Sequence, residues 1–171
     1  MLERHIYIIG MPGSGKSSLG RKVSSMLRIP FVDTDQRIVS AMGCSMQEII
    51  DRYGEPAFRT AETNMLIHLT REQPSIISTG GGMVMREINR QIMRNHGVII
   101  FIDRPLEDIM SDIKLDRRPT LAEKGLSEVE RLYHERIDTY RAAADAVLDN
   151  SYGYHAGVAG MEKLLRSMFN I

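Results

Sequence analysis

The 171-residue sequence predicts an α/β protein, a three-layer α/β/α fold around a five-stranded parallel sheet. Three observations predict it. Short runs rich in β-forming residues alternate with amphipathic helical stretches. A glycine-rich segment, Gly10-Met11-Pro12-Gly13-Ser14-Gly15-Lys16-Ser17-Ser18, joins the first such run to the first helical stretch. Residues able to do chemistry fall just after the runs, where ligands gather at the carboxyl ends of parallel strands.

The elements follow in order. His5–Ile9 is a short apolar run, read as the first strand. The helix after the glycine loop carries Leu19, Val23, Met26 and Leu27 on one face. Phe31–Asp33 reads as the second strand and ends in Asp33-Thr34-Asp35. Ser45 and Glu48 have capping-box spacing ahead of Ile49 and Ile50. Phe58, Ala61, Met65, Leu66 and Leu69 keep helical spacing. Ser75–Ser78 is the third strand, with Gly80-Gly81-Gly82 behind it. Val98–Ile102 is the fourth, and Pro105 suits the first position of a helix bearing Leu106, Ile109 and Ile113. Lys114–Gly125 is charged, aperiodic and broken by Pro119, so it reads as a mobile lid over the site. Ser127 and Glu130 suggest another cap. Ala146–Leu148 is the fifth strand, and Val158, Met161, Leu164, Leu165 and Met168 make a C-terminal amphipathic helix.

Composition narrows the function classes. Lys plus Arg equals Asp plus Glu at 22 each, so no bulk charge draws the chain to nucleic acid or a membrane surface. A single cysteine, Cys44, fits a reducing compartment. No apolar stretch reaches membrane-spanning length and no signal-peptide pattern opens the chain, so a cytoplasmic protein is expected. The twelve methionines read as core filler. Without repeats or low-complexity linkers, residues 1–171 read as a single domain.

The glycine loop carries the strongest chemical signal. Gly-x-x-x-x-Gly-Lys-Ser between a strand and a helix is a phosphate cradle. Its glycines let main-chain N–H groups approach phosphate oxygens, and the helix N-terminus behind them favours anions. Lys16 supplies a mobile charge for the β- and γ-phosphates, and Ser17 offers a hydroxyl to Mg²⁺. Asp33 and Asp35, two apart on an extended strand end, would point the same way. On its own the pair reads as a turn or helix N-cap. Beside a phosphate loop it reads as one acid for the waters of Mg²⁺ and one that orients or deprotonates a hydroxyl. Gly80, Gly81 and Gly82 suit a ligand lying against exposed main chain. Arg59 and Arg136 alone read as solvated helix arginines, whereas Arg118 sits in the expected lid.

Taken together these pieces resemble the shikimate kinases. The resemblance rests on GMPGSGKSS at 10–18, FVDTD at 31–35, GEPAFRTAE at 54–62, STGGG at 78–82, RRPTL at 117–121 and Glu135-Arg136, in family order across nearly the whole chain. It implies a P-loop kinase fold with a mobile lid at 114–125 and a helical substrate-binding region at 35–62. It also implies ATP-dependent phosphorylation of the 3-hydroxyl of shikimate, on the way to aromatic amino acids, with Mg²⁺ as cofactor. Catalytic roles would fall to Lys16, Asp35 and Arg118. ATP would be held by Gly13, Ser14, Gly15, Lys16, Ser17, Ser18 and Arg118. Shikimate would be held by Asp35, Arg59, Gly80, Gly81, Gly82 and Arg136, with the two arginines on its carboxylate. The metal would fall to Ser17 and Asp33. Where the family carries an arginine against adenine, this chain has Met110–Lys114 without one, and Tyr152 or Tyr154 is the candidate to stack instead. Asp138 stands two residues beyond Arg136 and is expected to oppose its grip. The expected partners are ATP and shikimate, with no nucleic acid or membrane and a monomeric chain. Two other readings share the loop: a gluconate-type hydroxy-acid kinase, and a non-catalytic nucleotide-binding module.

Overall fold

The computed structural model describes residues 2–112 and 125–170. Five strands, β1 (His5–Ile9), β2 (Phe31–Asp33), β3 (Ile76–Ser78), β4 (Gly97–Asp103) and β5 (Ala146–Asp149), form one sheet in the order β2-β3-β1-β4-β5. Every pairing is parallel. Around it stand α1 (Lys16–Leu27), α2 (Thr34–Met42), α3 (Met46–Tyr53), α4 (Glu55–Leu69), α5 (Glu87–His96), α6 (Leu106–Asp112), α7 (Leu126–Ala143) and α8 (Tyr154–Phe169), with a 3₁₀ turn at Met83–Met85.

Side-chain alternation along β1 separates the layers. Ile6 and Ile8 face a core shared with Leu19 and Val23 of α1 and Met161 and Leu165 of α8. Tyr7 and Ile9 face the opposite core, with Leu66 of α4, Met93 of α5 and Ile137 and Tyr140 of α7. Because β1 is covered on both faces, it reads as an unbroken apolar run. A third cluster, Ile38 of α2, Ile49 of α3 and Phe58 of α4, ties the three helices after β2 to one another.

All five expected strands are present, within one residue at each end. The expected capping box also forms, with Ser45 Oγ accepting from Glu48 N and Glu48 accepting from Ser45 N. Two features differ. α7 begins behind Gly125, with no side-chain cap; Ser127 lies inside the helix. The helix starts earlier because Gly125 adopts a φ of +73°, which turns the chain without a capping side chain. α5 had no apolar period to announce it: Asn89 and Met93 are its buried residues, and Ile88 is exposed. The segment expected to form the lid, with Arg117, Arg118 and Pro119, lies outside the described residues apart from Gly125.

Candidate active site

The carboxyl ends of β1, β2 and β3 open onto one cavity of ≈ 850 Å³. Its floor is the glycine loop. Gly13, Gly15, Lys16, Ser17 and Ser18 border it, whereas Ser14 is fully buried behind them. Gly15 takes a φ of +102°, which lets α1 start with its N-terminus toward the cavity. Lys16 opens that helix and is itself buried. Its Nζ donates to the carbonyls of Gly10 at 3.0 Å and Met11 at 2.8 Å, folding the ammonium back over the loop.

Ser17 and Asp33 meet at the foot of this loop. Ser17 Oγ donates to Asp33 Oδ2 at 2.6 Å and lies 3.0 Å from Ser78 Oγ. A hydroxyl and a carboxylate side by side next to a phosphate cradle are the hard oxygen donors that Mg²⁺ takes when phosphates supply the rest of its shell. Among the described residues no cluster of three acidic, histidine or cysteine ligands exists. An ion held jointly by protein and nucleotide fits such a sparse donor set.

The Asp33-Thr34-Asp35 segment corrects one expectation. Only Asp33 is strand; Thr34 and Asp35 are already the first turn of α2. Asp33 Oδ1 accepts from Gln36 N at 3.2 Å and caps the helix while Oδ2 takes Ser17. The structural and the site-facing roles therefore coexist in one carboxylate. Both acids still border the cavity, Asp35 because the first helical turn swings it toward Gly80.

Arg59 of α4 and Arg136 of α7 approach the cavity from helices far apart in sequence. Arg59 Nη1 donates to Glu62 Oε2 at 2.8 Å and Nη2 to Glu55 Oε1 at 3.1 Å. Glu62 is 1% exposed, and burial pushes its carboxyl above the ordinary glutamate value, against the pull of Arg59. Asp138 is exposed on α7. Arg136 and Asp138, two residues apart on the helix, point in different directions.

Gly80, Gly81 and Gly82 stand between these side chains. A Cβ on Gly80 would lie 2.7 Å from Asp35 Oδ1, and one on Gly82 would lie 2.5 Å from Arg59 Nη1. Close approach of site side chains is thus what demands glycine here. Their main chain is less open than the sequence suggested: Gly80 N donates to Thr34 Oγ1 at 3.1 Å, and the Gly81 carbonyl accepts from Tyr140 Oη at 2.6 Å. Thr34, Glu62 and Tyr140 were not singled out from the sequence. Two of them stand in segments that carry the family resemblance, Thr34 in FVDTD and Glu62 at the end of GEPAFRTAE. Tyr152, on the turn after β5, and Tyr154, the first residue of α8, are 81% and 46% exposed and do not border the cavity. Arg118 lies outside the described residues.

A parallel α/β sheet, a phosphate cradle at its central strand, and a basic and acidic pocket beside that cradle define a P-loop kinase of the small-molecule class. The shikimate kinase family model matches residues 12–165. The shikimate kinase of Clostridium beijerinckii is 40% identical over 149 residues, covering 87% of each chain. That of Clostridium botulinum (strain Eklund 17B) is 35% identical, over 96% of this chain and 98% of its own. Among solved structures, shikimate kinase from Acinetobacter baumannii in complex with shikimate superposes with a TM-score of 0.89 at 28% identity, over 98% of this chain and 93% of that one. The Aquifex aeolicus enzyme does so with a TM-score of 0.81 at 34% identity, over 97% of both. This chain belongs to the shikimate kinase family. The matches favour neither a gluconate-type kinase nor a non-catalytic module.

Proposed function

We propose that this protein transfers the γ-phosphoryl group of ATP to the 3-hydroxyl of shikimate, giving shikimate 3-phosphate and ADP. The observation that carries the reading is a shared cavity: Lys16 and Ser17 border it on one side, and Asp35, Arg59 and Arg136 on the other. One half suits a polyphosphate. The other suits a ring acid, with two guanidinium forks for a carboxylate and acidic oxygens for hydroxyls.

Phosphoryl transfer rests on placement and charge stabilisation. In this reading Gly13, Ser14, Gly15 and Ser18 hold the triphosphate, and Lys16 swings from the loop carbonyls to the β- and γ-phosphates. Ser17 and Asp33 would hold Mg²⁺, which neutralises phosphate charge when bound. Arg59 and Arg136 grip the carboxylate, and Gly80–Gly82 let the ring lie close. Asp35 accepts the hydrogen bond of the 3-hydroxyl and takes its proton as the oxygen attacks. Arg118, in a lid at 114–125, adds charge over the phosphates, and its replacement by alanine is expected to slow turnover about 10³-fold. Residues 35–62 act as the substrate-binding region of a single domain. The enzyme acts as a cytoplasmic monomer with no nucleic-acid or membrane partner.

The deciding experiment measures ADP release by the purified protein with ATP and Mg²⁺, in the presence of shikimate or gluconate. Release is expected with shikimate only. Release with gluconate alone, or none with either, overturns the reading.

A further inference from the structure

A second cation stands on the phosphate side of the cavity. Arg104 directly follows β4, and β4 pairs with β1, so Arg104 reaches the same sheet edge as the glycine loop. It borders the cavity together with Pro12, Gly13 and Lys16. Nη1 donates to the Gly13 carbonyl at 2.9 Å, and Nη2 pairs with Asp112 at the end of α6. Only 19% of the side chain is exposed, against 60% for Asp112.

This geometry differs from that of a solvated arginine. The two ends of the planar fork reach two separate segments, which a lysine cannot do with one ammonium. The contact to the loop also has a specific consequence. The Gly13–Ser14 peptide is held at both ends, its carbonyl by Arg104 and its N–H by the Met11 carbonyl at 3.1 Å. The next carbonyl, of Ser14, is held by Asn150 Nδ2 at 2.9 Å. Two successive carbonyl dipoles are thereby tied by side chains arriving from the ends of β4 and β5. A carbonyl free to rotate toward an anion would repel it, and fixing such dipoles before the ligand arrives is how a site avoids reorganisation on binding.

We propose that Arg104 is a positioning residue for the distal phosphates of a nucleoside di- or triphosphate, acting through the Gly13 carbonyl and adding a positive charge beside Lys16. The proposal rests on the nucleotide half of the reading above and does not depend on the phosphoryl acceptor.

The test titrates the full chain calorimetrically with ADP plus Mg²⁺ and, separately, with AMP, without shikimate. Charge beyond the α-phosphate separates the two ligands. Arg104→Ala is expected to weaken ADP about tenfold and AMP less than about twofold. Equal weakening of both, or unchanged ADP affinity, overturns the proposal, since a general loss of fold would weaken both alike. If Arg104→Ala does not fold, Arg104→Lys is titrated in its place. It keeps the charge without the fork, and an ADP-selective loss of about threefold is expected; unchanged or unselective binding overturns the proposal. A wild-type chain that binds ADP but shows no shikimate turnover refutes the acceptor assignment alone, whereas one that binds no ADP refutes both.

Discussion

Asp33 shows how much one side chain can carry. It ends a strand, caps a helix with one oxygen and takes the Ser17 hydroxyl with the other. Its neighbour Asp35 borders the cavity. Asp35→Asn keeps the shape but cannot take a proton, so turnover is expected to fall on the order of 10²- to 10⁴-fold with ADP affinity unchanged, measured by steady-state kinetics and calorimetry. Arg59→Ala is expected to raise KM for shikimate on the order of 10- to 100-fold and to leave KM for ATP within about twofold. Equal effects on both substrates would make Arg59 structural. Gly82→Ala probes the same contact from the other side. Gly82 has a φ of −92°, open to any residue, so backbone strain is absent. The new methyl would instead meet the Arg59 guanidinium at 2.5 to 2.8 Å. A flexible side chain can move away, so Tm is expected to shift by only about 2 °C, while displacement of Arg59 raises KM for shikimate about tenfold. A large fall in Tm with KM unchanged would contradict that account.

At the scale of elements, three helices after β2 build the cavity wall that carries Arg59. α2 and α3, of 9 and 8 residues, are too short to be stable alone, and the three helices hold one another through Ile38, Ile49 and Phe58. The reciprocal bonds between Ser45 and Glu48 decide where α3 starts, which aims Met46 and Ile50 at the cavity. Loss of the cap by Ser45→Ala is expected to cost about 1 kcal/mol, or a fall in Tm of about 2–4 °C for a chain of this size. The measurement is thermal unfolding followed by circular dichroism. The packing of α1 on the sheet tolerates even less change. A Cβ on Gly20 would lie 2.8 Å from Phe31 Cε2 and 3.0 Å from Ile8 Cδ1. Alanine gains about 1 kcal/mol of helix propensity over glycine, but overpacking a close-packed core costs about 1–3 kcal/mol. Gly20→Ala is therefore expected to be destabilising overall, and a rise in Tm would show that the interface yields.

For the whole molecule, the sheet order places β1 at the centre, so its two ends feel the largest part of the fold. The carboxyl end holds the glycine loop. The amino end holds His5, which is buried, its Nδ1 accepting from Ser75 N at 3.2 Å. Burial pushes the imidazole below its ordinary pKa of 6.5. The unfolded chain thus takes up a proton at higher pH than the folded one. Stability from this group is fully present above pH 6.5 and lost as pH falls through the folded-state value. Glu62 is shifted the opposite way for a carboxyl, and its unfavourable contribution grows as pH rises above 4.5. Subtraction isolates the histidine: the fall in Tm between pH 7 and pH 5 is expected to be smaller in His5→Gln than in the wild type. Parallel curves would exclude His5 as its source.

Local chemistry made part of this protein legible from its residues. The five strands, the glycine loop and the Ser45 cap follow from periodicity, backbone freedom and donor type, all of which act over a few residues. Family resemblance, rather than spacing, pointed to Arg59 and Arg136. Other features depended on segments far apart in the chain. Glu62 acquires its raised pKa only when folding buries it, with Asp35 adding to the rise and Arg59 opposing it; Tyr140 reaches Gly81 only after α7 docks, and Arg104 meets Gly13 only because β4 lies against β1. The sequence by itself determined which elements form and which chemical groups the chain possesses, because both depend on neighbours along the chain. The tertiary structure alone decided which of those groups are desolvated and which face one another, because burial and contact across 59 to 91 positions of sequence exist only after the sheet has assembled.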